Sequence, residues 1–173
     1  MKRYAVLAAS LAALSGCAFL PPVPVAVADL KPTQGSNASG TATFVERGGK
    51  ILVDVRAKGL TPGQHGFHIH EKGDCSAPDA MSAGGHYNPT SEPHGSPDSA
   101  KHHAGDFGNL SADANGEASA SIALDTARFN LGKLGSNTIA DRAVVIHADP
   151  DDLNGQPAGN SGRRVACGVI VMQ

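Results

Sequence analysis

The sequence predicts an all-β domain of about eight antiparallel strands, closed as a sandwich or flattened barrel and interrupted by two long functional loops. Three observations point there. Ile51, Val53, Val55 and Ala57 alternate with Leu52, Asp54, Arg56 and Lys58, which is the period of a half-buried strand. Turn formers are abundant, with 21 Gly and 11 Pro in 173 residues. Helix start and stop signals are almost absent from residue 25 onward.

The elements follow in order. Val25–Lys31 opens the pattern. Thr41–Glu46 is β-prone, and Gly48-Gly49 joins it to Ile51–Lys58 as a hairpin. Leu60-Thr61-Pro62-Gly63 is a turn, followed by a strand over Gln64–Glu71. Phe107–Ala112 and Glu117–Leu124 flank Asp113-Ala114-Asn115-Gly116 and read as a second hairpin. Ala143–His147 and Val165–Val171 complete the set. Strands of this kind without helices pack as a single sandwich or closed sheet. Lys72–Ala104 and Ala148–Gly162 have no strand period, and structureless loops of that length are usually functional. The sequence contains no internal repeat and no sign of a second domain.

The first residues read as a targeting segment. Lys2 and Arg3 precede a largely apolar run, Tyr4–Leu14, too short to span a bilayer and the right length for a signal peptide. Leu14-Ser15-Gly16-Cys17 resembles a bacterial lipobox, which makes 1–16 a lipoprotein signal peptide and Cys17 the lipidated new N-terminus. The alternative is an ordinary signal peptide with an incidental Cys. Pro21, Pro22 and Pro24 make 17–24 a stiff tether. Ala18 is compatible with outer-membrane sorting. Loss of Lys2 and Arg3 shifts the net charge from −2 to −4. That balance excludes a typical nucleic-acid binder. With Cys17 lipidated, Cys75 and Cys167 remain, and in an oxidising compartment they read as one disulfide; the alternative is two free thiols. The expected location is the periplasm or cell envelope, anchored to a membrane.

Seven of the eight His fall within residues 65–103, far denser than even spacing would give. His68 and His70 leave one face of their strand, while Phe67 and Ile69 leave the other and can enter the core. Alone, that pair could equally be two exposed surface residues. His86, His94, His103 and Asp106 supply three imidazoles and a carboxylate, a donor set that suits tetrahedral Zn²⁺. His147 ends an apolar strand beside the second loop. Alone it reads as structural; with His68, His70 and one loop His it completes four imidazoles, a set that favours Cu(II).

Gly66-Phe67-His68-Ile69-His70-Glu71, Gly84-Gly85-His86-Tyr87-Asn88-Pro89, His94-Gly95, His103-Ala104-Gly105-Asp106 and Val145-Ile146-His147-Ala148 resemble the copper/zinc superoxide dismutases. So does Gly162-Arg163-Arg164-Val165-Ala166-Cys167-Gly168-Val169-Ile170. The resemblance spans residues 25–173 and implies a Greek-key, immunoglobulin-like sandwich. It implies copper on His68, His70, His86 and His147, and zinc on His86, His94, His103 and Asp106. His86 would then be shared, which lets seven side chains make eight metal bonds. It further implies that Asp151 links a copper ligand to a zinc ligand, that Cys75 and Cys167 form the family's disulfide, and that Arg164 is the active-site arginine. Copper would cycle between Cu(II) and Cu(I) as superoxide becomes dioxygen and hydrogen peroxide, with His86 taking up a proton on reduction. His65 resembles a structural His of the family, and His102 reads as a surface residue. If Val165 onward is a strand, Arg163 should point away from the site.

The substrate implied is a small anion approaching a net negative chain, so a local positive field is required. Arg164 is the best source. The second loop lacks the Lys and Glu cluster of eukaryotic members; Lys72 or Lys101 could substitute, although each reads more simply as a solvated surface residue. Two rival functions differ in class. One is a copper/zinc-binding or copper-delivery protein on a dismutase-like fold, which metal content with activity would separate from an enzyme. The other is a lipid-tethered interaction domain stapled by zinc, which leaves His68, His70 and His147 unexplained. Exposed strands could support a homodimer, but no residue specifies an interface.

Overall fold

Among the described residues, apolar alternation produces eight antiparallel strands: β1 (Ala26–Pro32), β2 (Ser39–Arg47), β3 (Lys50–Lys58), β4 (Gly63–His70), β5 (Asp106–Ala112), β6 (Ala118–Asp125), β7 (Ala143–His147) and β8 (Arg164–Met172). The structure is a computed structural model and describes residues 26–132 and 135–173. The targeting segment, Cys17, the tether and Val25 lie outside the described residues. The strands close in the order β1-β2-β3-β6-β5-β4-β7-β8. This is the all-β, immunoglobulin-like barrel the sequence predicts.

One junction in this closed order is short. β6 runs along β3 from Lys50↔Asp125 to Ala57↔Ala118, yet it meets β5 only at Ala112↔Ala118. The expected hairpin of Phe107–Ala112 and Glu117–Leu124 therefore forms, with pairing confined to its turn end. Its turn forms, with Asp113 Oδ1 accepting the Asn115 and Glu117 amides at 2.8 and 2.9 Å. Beyond it the strands part, because each lines a different wall of one core. The closure between the first and last strands is well paired, at Ala26↔Met172 to Ala28↔Ile170 and again at Lys31↔Cys167 and Pro32↔Ala166.

On β3 the sequence period becomes a burial period, with Ile51, Val53, Val55 and Ala57 inside and their neighbours exposed. Phe44, Leu30, Phe67, Ile69, Leu110, Ile146 and Ile170 fill the same core. Each such side chain contributes about 1.5–3 kcal/mol by leaving water. β7 departs from alternation, with all five residues buried. Its outer face is covered by the segment after β4, where Ala80 and Ala83 pack on Ala143, Val145 and Cys167.

The two long irregular connections stand as expected, between β4 and β5 and between β7 and β8. The first holds only a single 3-10 turn, Met81–Ala83. A third connection, from β6 to β7, was not anticipated. Phe129, Leu131 and Ile139 from it are buried in the main core, but their irregular spacing carries no strand or helix period. Cys75 and Cys167 form a disulfide with Cα atoms 5.8 Å apart, within the usual range. It ties the first loop to β8, and closing 92 residues removes about 4–5 kcal/mol of chain entropy from the unfolded state.

Candidate metal centre

β4 is the foundation of the site. Phe67 and Ile69 point into the core, fully buried, and His68 and His70 leave the opposite face. That face is not open to solvent: His68 and His70 are 0% and 1% exposed, because loop segments lie across it. Residues 85–87 add to β4 through Glu71 N–H to Gly85 O at 2.9 Å and Tyr87 N–H to Ile69 O at 2.8 Å, and His70 and His86 are bridge partners. The return of the loop adds Ile69 N–H to Gly105 O at 2.9 Å and Gly105 N–H to Tyr87 O at 2.8 Å. Gly105 permits this approach, since a Cβ there would lie 2.2 Å from Ile69 O. Sequence-distant imidazoles are thus delivered to one place by backbone pairing.

Two groups of side chains result: His68, His70, His86 and His147, and His86, His94, His103 and Asp106. Within each, one donor atom per residue lies within 4.8 Å of all the others. His86 belongs to both.

In the second group, Asp106 Oδ1 lies 2.8 Å from His86 Nδ1, 3.1 Å from His94 Nδ1 and 3.2 Å from His103 Nδ1. His103 Nδ1 and His86 Nδ1 are 3.3 Å apart. A tetrahedral zinc ion with bonds of about 2.0–2.1 Å sets its donors about 3.3 Å apart, so these residues fit zinc. The remaining Asp106 oxygen is held by the Gly95 and His103 amides at 3.0 and 2.8 Å. Burial alone would raise the Asp106 carboxyl, but hydrogen bonds from His86, His94 and Gly95 outweigh it and hold it well below the usual carboxylate range. Burial likewise disfavours a charged His94, yet Asp106 and Asp151 together raise it to about 10. The two carboxylates thus favour positive charge at His94, whereas burial lowers His103 despite Asp106.

In the first group, His70 Nδ1–H donates to Gly84 O at 2.9 Å and His147 Nδ1–H to Gly162 O at 3.2 Å. A carbonyl can only accept, so both rings present the lone pair of Nε2, and the two Nε2 atoms are 3.3 Å apart. Buried His68 Nδ1 has no hydrogen-bond partner. Burial pushes His70 down to about 2, helped by the Arg164 charge, and pushes His147 down to about 3, helped by His68. Burial also lowers His68 to about 4, against the opposing pull of Asp151. Facing lone pairs on neutral, buried imidazoles are the donor set of a nitrogen-preferring ion such as Cu(II). His86 commits Nδ1 to the second group, which leaves its other nitrogen for the first.

Asp151 spans the two. Oδ2 lies 3.2 Å from His68 Nε2, in ion-pair reach although misaligned for a full hydrogen bond, and Oδ1 lies 3.0 Å from His94 Nε2. Such contacts fix tautomer and ring orientation in metal ligands. Arg164, at the start of β8, donates Nη1–H to Ala80 O and Nη2–H to Gly84 O, both at 2.5 Å. Gly84 O therefore joins Arg164 to His70. Arg163 is exposed, as are Lys72 and Lys101.

Two other His lie outside both groups. His65 is buried, with Nδ1 2.8 Å from His147 O and Nε2 2.7 Å from Thr61 O. His102 corrects the sequence reading: it is 6% exposed and not a surface residue. Its Nδ1–H donates to His103 O at 2.7 Å, which turns the ring inward.

Several contributors carried no sequence signal. Asn109 grips the Asp151 backbone, accepting its N–H at 2.7 Å and donating to its carbonyl at 3.1 Å. Gln156 does the same to His94. Arg142 lies 3.7 Å from the Tyr87 ring centroid and donates to Thr138 O and Glu71 O at 2.6 and 2.7 Å.

Comparison with known proteins agrees with this geometry. Residues 38–170 match the family described as copper/zinc superoxide dismutase (SODC). The crystal structure of the clock protein EA4 is similar, at 38% identity and a TM-score of 0.75, covering 87% of this chain and 96% of that one. A family match over most of the chain, on a barrel that gathers two metal-competent groups, makes this chain a member of the copper/zinc superoxide dismutase family.

Proposed function

We propose that this chain is an exported, lipid-anchored enzyme that dismutes superoxide to dioxygen and hydrogen peroxide. Copper is held by His68, His70, His86 and His147, and zinc by His86, His94, His103 and Asp106. The observation that carries this reading is the sharing of buried His86 between two converging donor sets. Bound copper supplies one-electron redox chemistry, oxidising one superoxide and reducing a second, while zinc supplies a fixed charge that anchors the loop.

The chain's own residues do the rest. Arg164 keeps three guanidinium N–H groups beyond the two given to Ala80 and Gly84, and these attract and orient an anion beside His70. Gly84 O holds the His70 ring and the arginine in one frame. Asp151 holds the far nitrogens of His68 and His94, so both rings keep Nδ1 free for a metal. His86 keeps Nδ1 in the zinc-side cluster, and its Nε2 is the atom that takes and returns a proton. Loop residues over β4 exclude bulk water from the rings.

Cys17 is the proposed anchor, in the periplasm or cell envelope, with residues 17–24 as the tether of a domain spanning 25–173. The disulfide accords with export, and among the described residues no helix is long and apolar enough to cross a membrane. The second reading, copper/zinc binding or copper delivery without turnover, draws on the name of the similar clock protein. Retention of both donor sets together with Arg164 favours catalysis.

Three outcomes test the proposal. The mature protein should hold about one copper and one zinc per chain, and its dismutase activity should vanish on copper chelation and return with copper; activity indifferent to copper removal contradicts an enzyme of this kind. Arg164→Ala should slow the reaction about tenfold or more at low salt, flatten its ionic-strength dependence and leave both metals bound. A rate equal to that of the unsubstituted protein at low salt rejects the steering role. Cys17→Ser should move the protein from the membrane to the soluble fraction and end fatty-acid labelling; continued labelling shows that the anchor is elsewhere.

A further inference from the structure

The loop between β7 and β8 reaches the zinc-side cluster through one exposed residue with an inward-turned amide. Gln156 accepts the His94 N–H on Oε1 at 3.1 Å and donates Nε2–H to the His94 carbonyl at 2.8 Å. A side-chain amide thereby occupies both backbone groups of one residue, as a neighbouring strand would. His94 lies 62 residues away in the other long loop and has no strand partner among the named sheet pairings. The same loop closes on the His94 ring. Asp151 Oδ1 meets its Nε2 at 3.0 Å. Gly159, with φ +72°, packs so tightly that a Cβ there would fall 2.7 Å from His94 Nε2 and overlap Asp151 Oδ1. The loop holds this shape through Asp152 N–H to Gly159 O and Gly159 N–H to Gly155 O, both 2.8 Å.

We propose that Gln156 is a positioning residue for the zinc-side cluster: it pins the His94 backbone so that the ring holds one nitrogen toward Asp106 and the other toward Asp151. Backbone and ring of His94 are thus fixed from the second loop, while the donor atom it offers faces the first. Occupancy of the cluster and closure of the second loop become linked, since neither His94 nor residues 151–159 can move without breaking this set of contacts. Residues that orient a ligand in this way typically change metal affinity about 10–100-fold when lost. The inference rests on the reading that the cluster holds zinc.

The test compares the unsubstituted, metal-loaded protein with Gln156→Leu, which removes both hydrogen bonds at similar volume. Zinc release to a chromogenic chelator, the melting temperature of the metal-free protein, and the visible spectrum with Co(II) in place of zinc are measured for each. The expected result is zinc release at least about tenfold faster, an altered Co(II) spectrum and an unchanged metal-free melting temperature. Gln156→Glu, which keeps the acceptor for the His94 N–H and loses the donor, should fall between the two. Release at the unsubstituted rate, or faster release explained by a lowered metal-free melting temperature, overturns the role of Gln156 and leaves the zinc reading standing. Absence of chelator-releasable zinc from the unsubstituted protein overturns both.

Discussion

An imidazole ring offers two nitrogens on opposite sides of a rigid plane, and the architecture around His86 depends on using both. One nitrogen sits among Asp106, His94 and His103, with donor atoms about a zinc tetrahedron's edge apart. The ring centroid lies 3.9 Å from that of His68 and 5.1 Å from that of His70, which puts the rest of the ring among the remaining imidazoles. Buried polar atoms without partners each cost about 1–3 kcal/mol. His68 Nδ1 is of that kind. A fold that gathers such groups gains by cations that take up all their lone pairs, and cation binding in turn stabilises the folded chain.

The barrel makes the gathering possible. β4 has two jobs on alternate residues: Phe67 and Ile69 anchor it in the core, and His68 and His70 face the loops. β7 is fixed on both sides, by the main core and by the alanine cluster under the disulfide, so His147 at its end has little freedom. The loops are then tied down by few but specific contacts: the disulfide, the Arg164 grip on Ala80 and Gly84, the Asn109 and Gln156 amides, and the stack of Arg142 on Tyr87. Rigidity at the site comes from side chains crossing between loops, not from regular structure within them.

Most of the wall was legible because half-buried strands write their burial into the sequence. The alternation over 51–58 became the alternation of β3 without change. The β5–β6 hairpin forms at its expected turn but pairs at only one position, because a turn sequence does not reveal how far the strands beyond it stay together. The β6–β7 connection was missed because Phe129, Leu131 and Ile139 are buried one at a time from an irregular chain. At the site, residue type and motif spacing marked the candidate ligands, since few other roles explain so many His together. His102 was misjudged because a polar loop sequence gives no sign of which side chains turn inward. Asn109 and Gln156 were invisible for a related reason: an amide that holds a backbone leaves no spacing rule, and its partner lies far along the chain.

The sharing of one ring by two ions is the claim most directly open to measurement. Two paramagnetic ions on opposite nitrogens of a single imidazolate exchange-couple through it, whereas ions on separate ligands at such a site would not do so strongly. The copper-loaded protein should therefore be examined by electron paramagnetic resonance before and after Co(II) replaces zinc. A shared His86 predicts that the Cu(II) resonance collapses when Co(II) enters and returns when it is removed. A Cu(II) spectrum that keeps its intensity and shape with Co(II) fully bound would contradict the account.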